Sequence, residues 1–130
     1  MPYIYPHARL LNGKEKVGDK QCVALVRHFT KAPPSSTWRA GETVIGNTSI
    51  VSGTGIATFE DGRYPNKKTG NHTALYLYQV SDGIYVVDQW PGDTVQKPNI
   101  SQRYIPGLGK DESGKFINPS NNADAFSVIK

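Results

Sequence analysis

Gly18-Asp19-Lys20-Gln21-Cys22-Val23-Ala24-Leu25-Val26-Arg27-His28-Phe29-Thr30 is the stretch of this 130-residue chain that reads most clearly as a helix, and it precedes every clear strand signal. Asp19 is a good N-cap whose carboxylate can accept orphan amide protons of a first turn, so the helix is predicted over Lys20 to Thr30. Cys22, Leu25, Val26 and Phe29 fall on one face at helical spacing, while Lys20, Arg27 and Lys31 lie elsewhere. Pro33-Pro34 stops it. Downstream the chain reads as strands and loops, the clearest strands being Gly55 to Glu60, His72 to Val80 and Gly83 to Gln89. Ser81-Asp82-Gly83 joins the last two as a hairpin, and Thr73 to Tyr78 is apolar enough for a central strand covered on both faces. Gln102 to Ile105 and Ala125 to Ile129 are further strand candidates. Helix first, then a meander, predicts an α+β fold in which Leu25, Val26 and Phe29 pack on an antiparallel sheet.

The length suits one domain over residues 1–130, large enough to fold on its own core. The single cysteine excludes an intrachain disulfide, and a lone thiol is most easily kept where the cytosol is reducing. Unpaired cysteines are commonly buried and inert, so position has to decide what Cys22 does. The opening Met1 to Pro6 has no apolar signal-peptide core, and no run approaches bilayer length, so synthesis without a signal peptide and no membrane insertion are expected. The net charge of +4 comes from scattered Lys and Arg and would suit an anionic polymer. Nucleic acid is not the expected one, because no basic cluster interleaves with aromatics.

A thiol in the first turn of a helix is acidified by the macrodipole and nearby amides, and the same amides can serve an oxyanion. Cys22 occupies that position and is the predicted nucleophile. Of the three histidines, His7 sits in a Pro-flanked segment with nothing to fix its rotamer, and His28 lies about 240° round the helix axis from Cys22. His72, opening a central strand after the loop Asn66 to Asn71, is the predicted base. Asp88, a carboxylate closing an apolar strand, is the candidate to orient it, with Gln89 and Asp93 as alternatives. A regular hairpin would put Asp88 opposite Tyr76 or Leu77, roughly 13 Å along the strand from His72, so coiling, a bulge or another register has to close the gap. One Cys and one His at this separation match no structural zinc spacing, and no cofactor is expected.

Gly18 to Val26, Gly55 to Phe59, Gly70-Asn71-His72 running into Leu77, and Asp88-Gln89-Trp90 resemble, in that order, the motifs of NlpC-type and CHAP amidases, papain-fold enzymes of bacteria and phages. Gly62-Arg63-Tyr64-Pro65 and the short chain further resemble the amidase effectors delivered by type VI secretion. The resemblance implies a papain-like fold and cysteine hydrolysis of an amide bond in peptidoglycan stem peptides, between D-glutamate and diaminopimelate or between glycan and L-alanine. It also implies action in the periplasm or cell wall, by a monomer, with an immunity protein as cognate partner. Gln21 is expected to help bind the oxyanion, and Trp38, Tyr64, Gln89 and Trp90 to contribute to the substrate cleft. Trp90 stands where many CHAP enzymes place Asn, so no fourth catalytic residue is implied. The rival readings are a papain-like deamidase or acyltransferase acting on a protein, and a catalytically inactive module that binds cell wall.

Overall fold

The computed structural model describes residues 2–130, and among them one helix packs on a six-stranded antiparallel sheet. Helix α1 spans Cys22–Thr30. The strands are β1 (Ala40–Thr43), β2 (Gly55–Thr58), β3 (Thr73–Val80), β4 (Gly83–Asp88), β5 (Ser101–Pro106) and β6 (Phe126–Ile129), in the sheet order β1-β6-β2-β3-β4-β5. The α+β expectation is therefore met, and strands β2 to β5 form the expected meander. The departure lies at the far edge, where β6 returns to sit between β2 and β1. Ala40-Gly41-Glu42-Thr43 lacks an apolar alternation and gives no strand signal, because it is an edge strand with one paired side. No helix among the described residues is long and apolar enough to cross a membrane.

The sheet is covered on both faces. Leu25 and Val26 of α1 are fully buried and pack with Leu75, Leu77 and Val87 on one side. Ile56, Ala74, Tyr76, Ile84, Val86 and Phe126 form the core of the other. All of β2 and the first five residues of β3 are buried, as a two-sided central pair requires. Helix and sheet approach closely at Gly55, where an added Cβ would sit 3.2 Å from Val26 Cγ1.

The helix begins two residues later than predicted. Asp19 is not its N-cap: Asp19 Oδ1 accepts the Gln21 amide at 3.0 Å within the preceding turn, and Lys20 has a left-handed φ of 72°. Gln21, extended, is the N-cap and makes no side-chain cap bond, so Cys22 becomes the first helical residue. Gly18 also has positive φ (60°), and a Cβ there would lie 2.9 Å from Ala24 Cβ. That close approach turns the chain into the helix. Gly18→Ala is expected to cost about 1–2 kcal/mol in urea denaturation; an unchanged midpoint would contradict this role for the turn.

Candidate active site

The β3–β4 hairpin decides which side chains meet. Its turn pairs Val80 with Gly83 and Tyr78 with Tyr85, but beyond a register shift between Tyr76 and Tyr78 it pairs Tyr76 with Val86 and Leu75 with Val87. Leu77 is the extra residue. Continuing that register sets Asp88 against Ala74 rather than against Tyr76 or Leu77, two residues from His72. Directly opposed residues share a face, so a one-residue slip also decides which face. Strand β4 is regular, so Asp88 shares the face of Ile84 and Val86; without the shift Asp88 would oppose Leu75, and with it Asp88 opposes Ala74, which places the start of β3 on the face that Asp88 occupies. The remaining offset, roughly 7 Å along the strand, is within side-chain reach. His72 Nε2 and Asp88 Oδ2 lie 2.8 Å apart.

Asp88 is wholly buried and has three cationic partners. Its Oδ2 accepts from His72 Nε2 and from Arg103 Nε, both at 2.8 Å, and its Oδ1 accepts from Lys97 Nζ at 2.5 Å. Burial alone would raise the carboxyl's pKa; the hydrogen bond and charge of His72, with the charges of Arg103 and Lys97, overcome it and hold Asp88 well below the usual carboxylate range. Trp90 closes the cluster, its ring centroid 6.2 Å from that of His72 and 4.6 Å from Lys97 Nζ. Neither Lys97 nor Arg103 is apparent from the sequence as part of a site. The one available signal is Asp88 itself, since a carboxylate ending an apolar strand requires cations from somewhere.

Cys22 is half-buried at the helix start, with its Sγ 3.7 Å from the Tyr64 hydroxyl. Desolvation opposes ionisation of the thiol. A hydrogen bond and charge from His72, the Thr73 amide and the Tyr64 hydroxyl outweigh it, so the thiol's pKa falls below its ordinary value. His72 is buried, which by itself would favour the neutral ring, but Asp88 and Cys22 together raise its pKa to about 9. The two shifts favour a thiolate–imidazolium pair near neutrality. Burial and the adjacent Cys22 push the Tyr64 phenol far above its usual value, so it stays protonated and donates toward the sulfur. With Nε2 committed to Asp88, His72 has Nδ1 left to face the thiol.

Of the expected cleft residues, Tyr64 is buried but reaches the thiol with its hydroxyl, whereas Trp38 and Gln89 lie inside the protein without reaching it. Trp38 has no exposed surface; it donates from Nε1 to the Pro33 carbonyl at 2.9 Å and buttresses Tyr64 at a centroid distance of 5.3 Å. Gln89 is likewise buried, with its amide committed to main chain: Oε1 accepts from Val17 N at 3.0 Å, and Nε2 donates to the carbonyls of Val17 at 3.0 Å and Gln21 at 2.8 Å. It therefore braces the approach to α1 and neither lines a cleft nor orients His72. Asp93, the other alternative to Asp88, accepts the amides of Val95 and Gln96 in its own turn. Gln21 is exposed beside Cys22, and Trp90 is half-exposed beside His72. His7 and His28 are both exposed.

Residues 6–129 match the family model of Domesticated amidase effector 2. The chain belongs to that family. Among relatives of the Domesticated amidase effector 2 family, a type VI secretion amidase effector 2 protein of Salmonella typhi is 46% identical over the full length of both chains. A domesticated amidase effector 2 of Ixodes scapularis is 35% identical, over 88% of this chain and 73% of its own. The solved structure of a type 6 secretion amidase effector 2 superposes with a TM-score of 0.93 at 45% identity, covering all of this chain and 95% of that one. The resemblance to type VI amidase effectors is thus borne out, and with it the papain-like fold and the assignment as an amidase, a hydrolase of amide bonds.

Gln89→Leu removes three hydrogen bonds to the segment leading into the helix of this amidase. It is expected to lower stability by about 2–4 kcal/mol in urea denaturation; a wild-type midpoint would contradict the bracing role.

Proposed function

We propose that this amidase effector hydrolyses an amide bond in bacterial peptidoglycan stem peptides, with Cys22 as nucleophile, His72 as acid and base, and Asp88 orienting His72. The observation that carries the reading is the buried His72–Asp88 pair, Nε2 to Oδ2 at 2.8 Å, with the charge of His72 acting on the Cys22 thiol at the start of α1 to lower its pKa. The relatives, type VI secretion amidase effectors among them, support delivery to a target cell and action on the wall in its periplasm. A toxic wall amidase calls for a cognate immunity protein in its producer, and the protein acts as a monomer of one domain spanning residues 1–130.

In this mechanism the Cys22 thiolate adds to the amide carbonyl carbon, and the Cys22 main-chain amide and the Gln21 side chain bind the resulting oxyanion. The protonated Tyr64 hydroxyl, 3.7 Å from Sγ, adds a donor on the same side. His72 gives its proton to the leaving amine as the C–N bond breaks, which leaves a Cys22 thioester and a neutral imidazole. The imidazole then deprotonates a water that adds to the thioester. Collapse of that adduct releases the carboxylic acid and restores the thiolate–imidazolium pair. Trp90, edge-on to His72, forms the wall of the cleft that limits water at the His72–Asp88 bond.

Digestion of purified peptidoglycan followed by mass analysis of the muropeptides tests this directly. Wild type is expected to release products whose masses identify the cleaved amide, while Cys22→Ala and His72→Ala lose at least about 10³-fold in kcat/KM. Equal cleavage by Cys22→Ala would end the reading. Intact muropeptides with ammonia released from a protein substrate would transfer the same residues to a deamidase.

A further inference from the structure

Lys97 is a buried cation whose cost the hydrolytic mechanism leaves unexplained. Its side chain is 2% exposed, and all three ammonium protons have acceptors: Asp88 Oδ1 at 2.5 Å, Ser101 Oγ at 2.6 Å and the Ser101 carbonyl at 3.2 Å. It is delivered by the turn that Asp93 caps, in which the Lys97 amide donates to the Asp93 carbonyl at 3.2 Å. Trp90 covers the ammonium from one side. A buried ion pair is weak support for stability, because an apolar residue of similar volume would avoid the desolvation cost altogether. Nor does Asp88 lack a cation without it, since Arg103 already binds Oδ2 and is tied to Asn121 Oδ1 at 3.1 Å.

We propose that Lys97, assisted by Arg103, is a positioning residue of the amidase reaction: it clamps the second oxygen of Asp88 and offsets the carboxylate's charge, so that His72 is held in place yet still surrenders its proton. This rests on the reading of Cys22, His72 and Asp88 given above.

A carboxylate bonded through Oδ2 alone could rotate about its terminal bond; with Oδ1 on Lys97 and Oδ2 shared by His72 and Arg103, both oxygens are fixed, and so is the direction of the His72 ring. An uncompensated buried carboxylate 2.8 Å from the ring would stabilise the imidazolium so strongly that protonating the leaving amine became uphill. The groups around His72 are Cys22 from α1, Tyr64 from the β2–β3 connection, Asp88 from β4, Lys97 from the β4–β5 connection and Arg103 from β5, with Lys16 beyond Lys97. Asp88, Lys97 and Arg103 together carry one surplus positive charge. That surplus favours the thiolate and disfavours the imidazolium, keeping the proton transferable.

The test is the pH dependence of kcat/KM on muropeptides, and of Cys22 alkylation by iodoacetamide, in wild type, Lys97→Met, Lys97→Arg and Arg103→Met. Removing a cation from Asp88 strengthens its hold on the imidazolium, so the step in which His72 deprotonates is expected to move to higher pH. The expected shift is about one unit in Lys97→Met, with the same direction in Arg103→Met. Lys97→Arg, which keeps the charge, is expected to stay near the wild-type position. An unmoved or downward-shifted step, with kcat/KM falling only as thermal stability falls, would overturn the proposal. Should Lys97→Met show no cooperative unfolding, Arg103→Met carries the same test at a partly exposed side chain, and an unmoved step there overturns it. Alkylation needs no substrate, so it gives its answer even if muropeptides prove not to be cleaved.

Discussion

Burying one carboxylate organises this molecule. Asp88 ends β4 with no exposed surface, and an ionised oxygen pair in that environment is stable only where positive charge and hydrogen bonds replace its water. The replacements come from three places far apart in the chain: His72 before β3, Lys97 in the β4–β5 connection and Arg103 on β5. Each must reach the same point, so the ends of β3, β4 and β5 are held in one fixed arrangement. The Cys22 thiol is coupled to it through His72, which on the proposed reading places the chemistry of Cys22 under the control of a carboxylate it does not touch.

A single register shift makes this possible. The extra residue Leu77 moves the pairing of β3 and β4 by one and so brings the start of β3, with His72 before it, to the face that Asp88 shares with Ile84 and Val86. The helix side of the sheet meanwhile keeps Leu75, Leu77 and Val87 for packing under α1. Gln89, the residue after Asp88, bonds the main chain of Val17 and Gln21 and so ties the end of β4 to the start of the helix. Adjacent residues thus set the two halves of the site: Asp88 positions the imidazole, and Gln89 positions the turn that presents the thiol.

What could be read from the sequence were features with a local cause. The apolar face of Cys22, Leu25, Val26 and Phe29, the double proline, and the alternation and apolar runs of β2 to β6 are written in short windows, and those elements lie within a residue or two of their expected bounds. His7 and His28 have no local reason to face the thiol, and both are exposed, whereas His72 is buried beside Asp88. Asp19 resembles a helix cap in sequence and does bond a nearby amide, but in a turn that the left-handed Lys20 separates from the helix. The burial of Trp38 and Gln89 has no local sign, because an aromatic or an amide beside a motif looks the same whether it faces solvent or core. The shift at Leu77 and the convergence of Lys97 and Arg103 on Asp88 leave no local trace, being consequences of tertiary packing. So does the return of β6 between β1 and β2.

On the proposed reading, the buried, cation-held Asp88 makes His72 the charged partner of Cys22 at neutral pH. The most direct measurement is a ¹⁵N NMR titration of the His72 ring in the wild-type protein, its signals identified by their loss in His72→Gln. The expected result is an imidazolium with both ring nitrogens protonated through neutrality, its Nε2 proton shifted downfield by the bond to Asp88, and deprotonation only near pH 9. A ring that titrates near the ordinary 6.5, or is neutral at pH 7, would contradict the account.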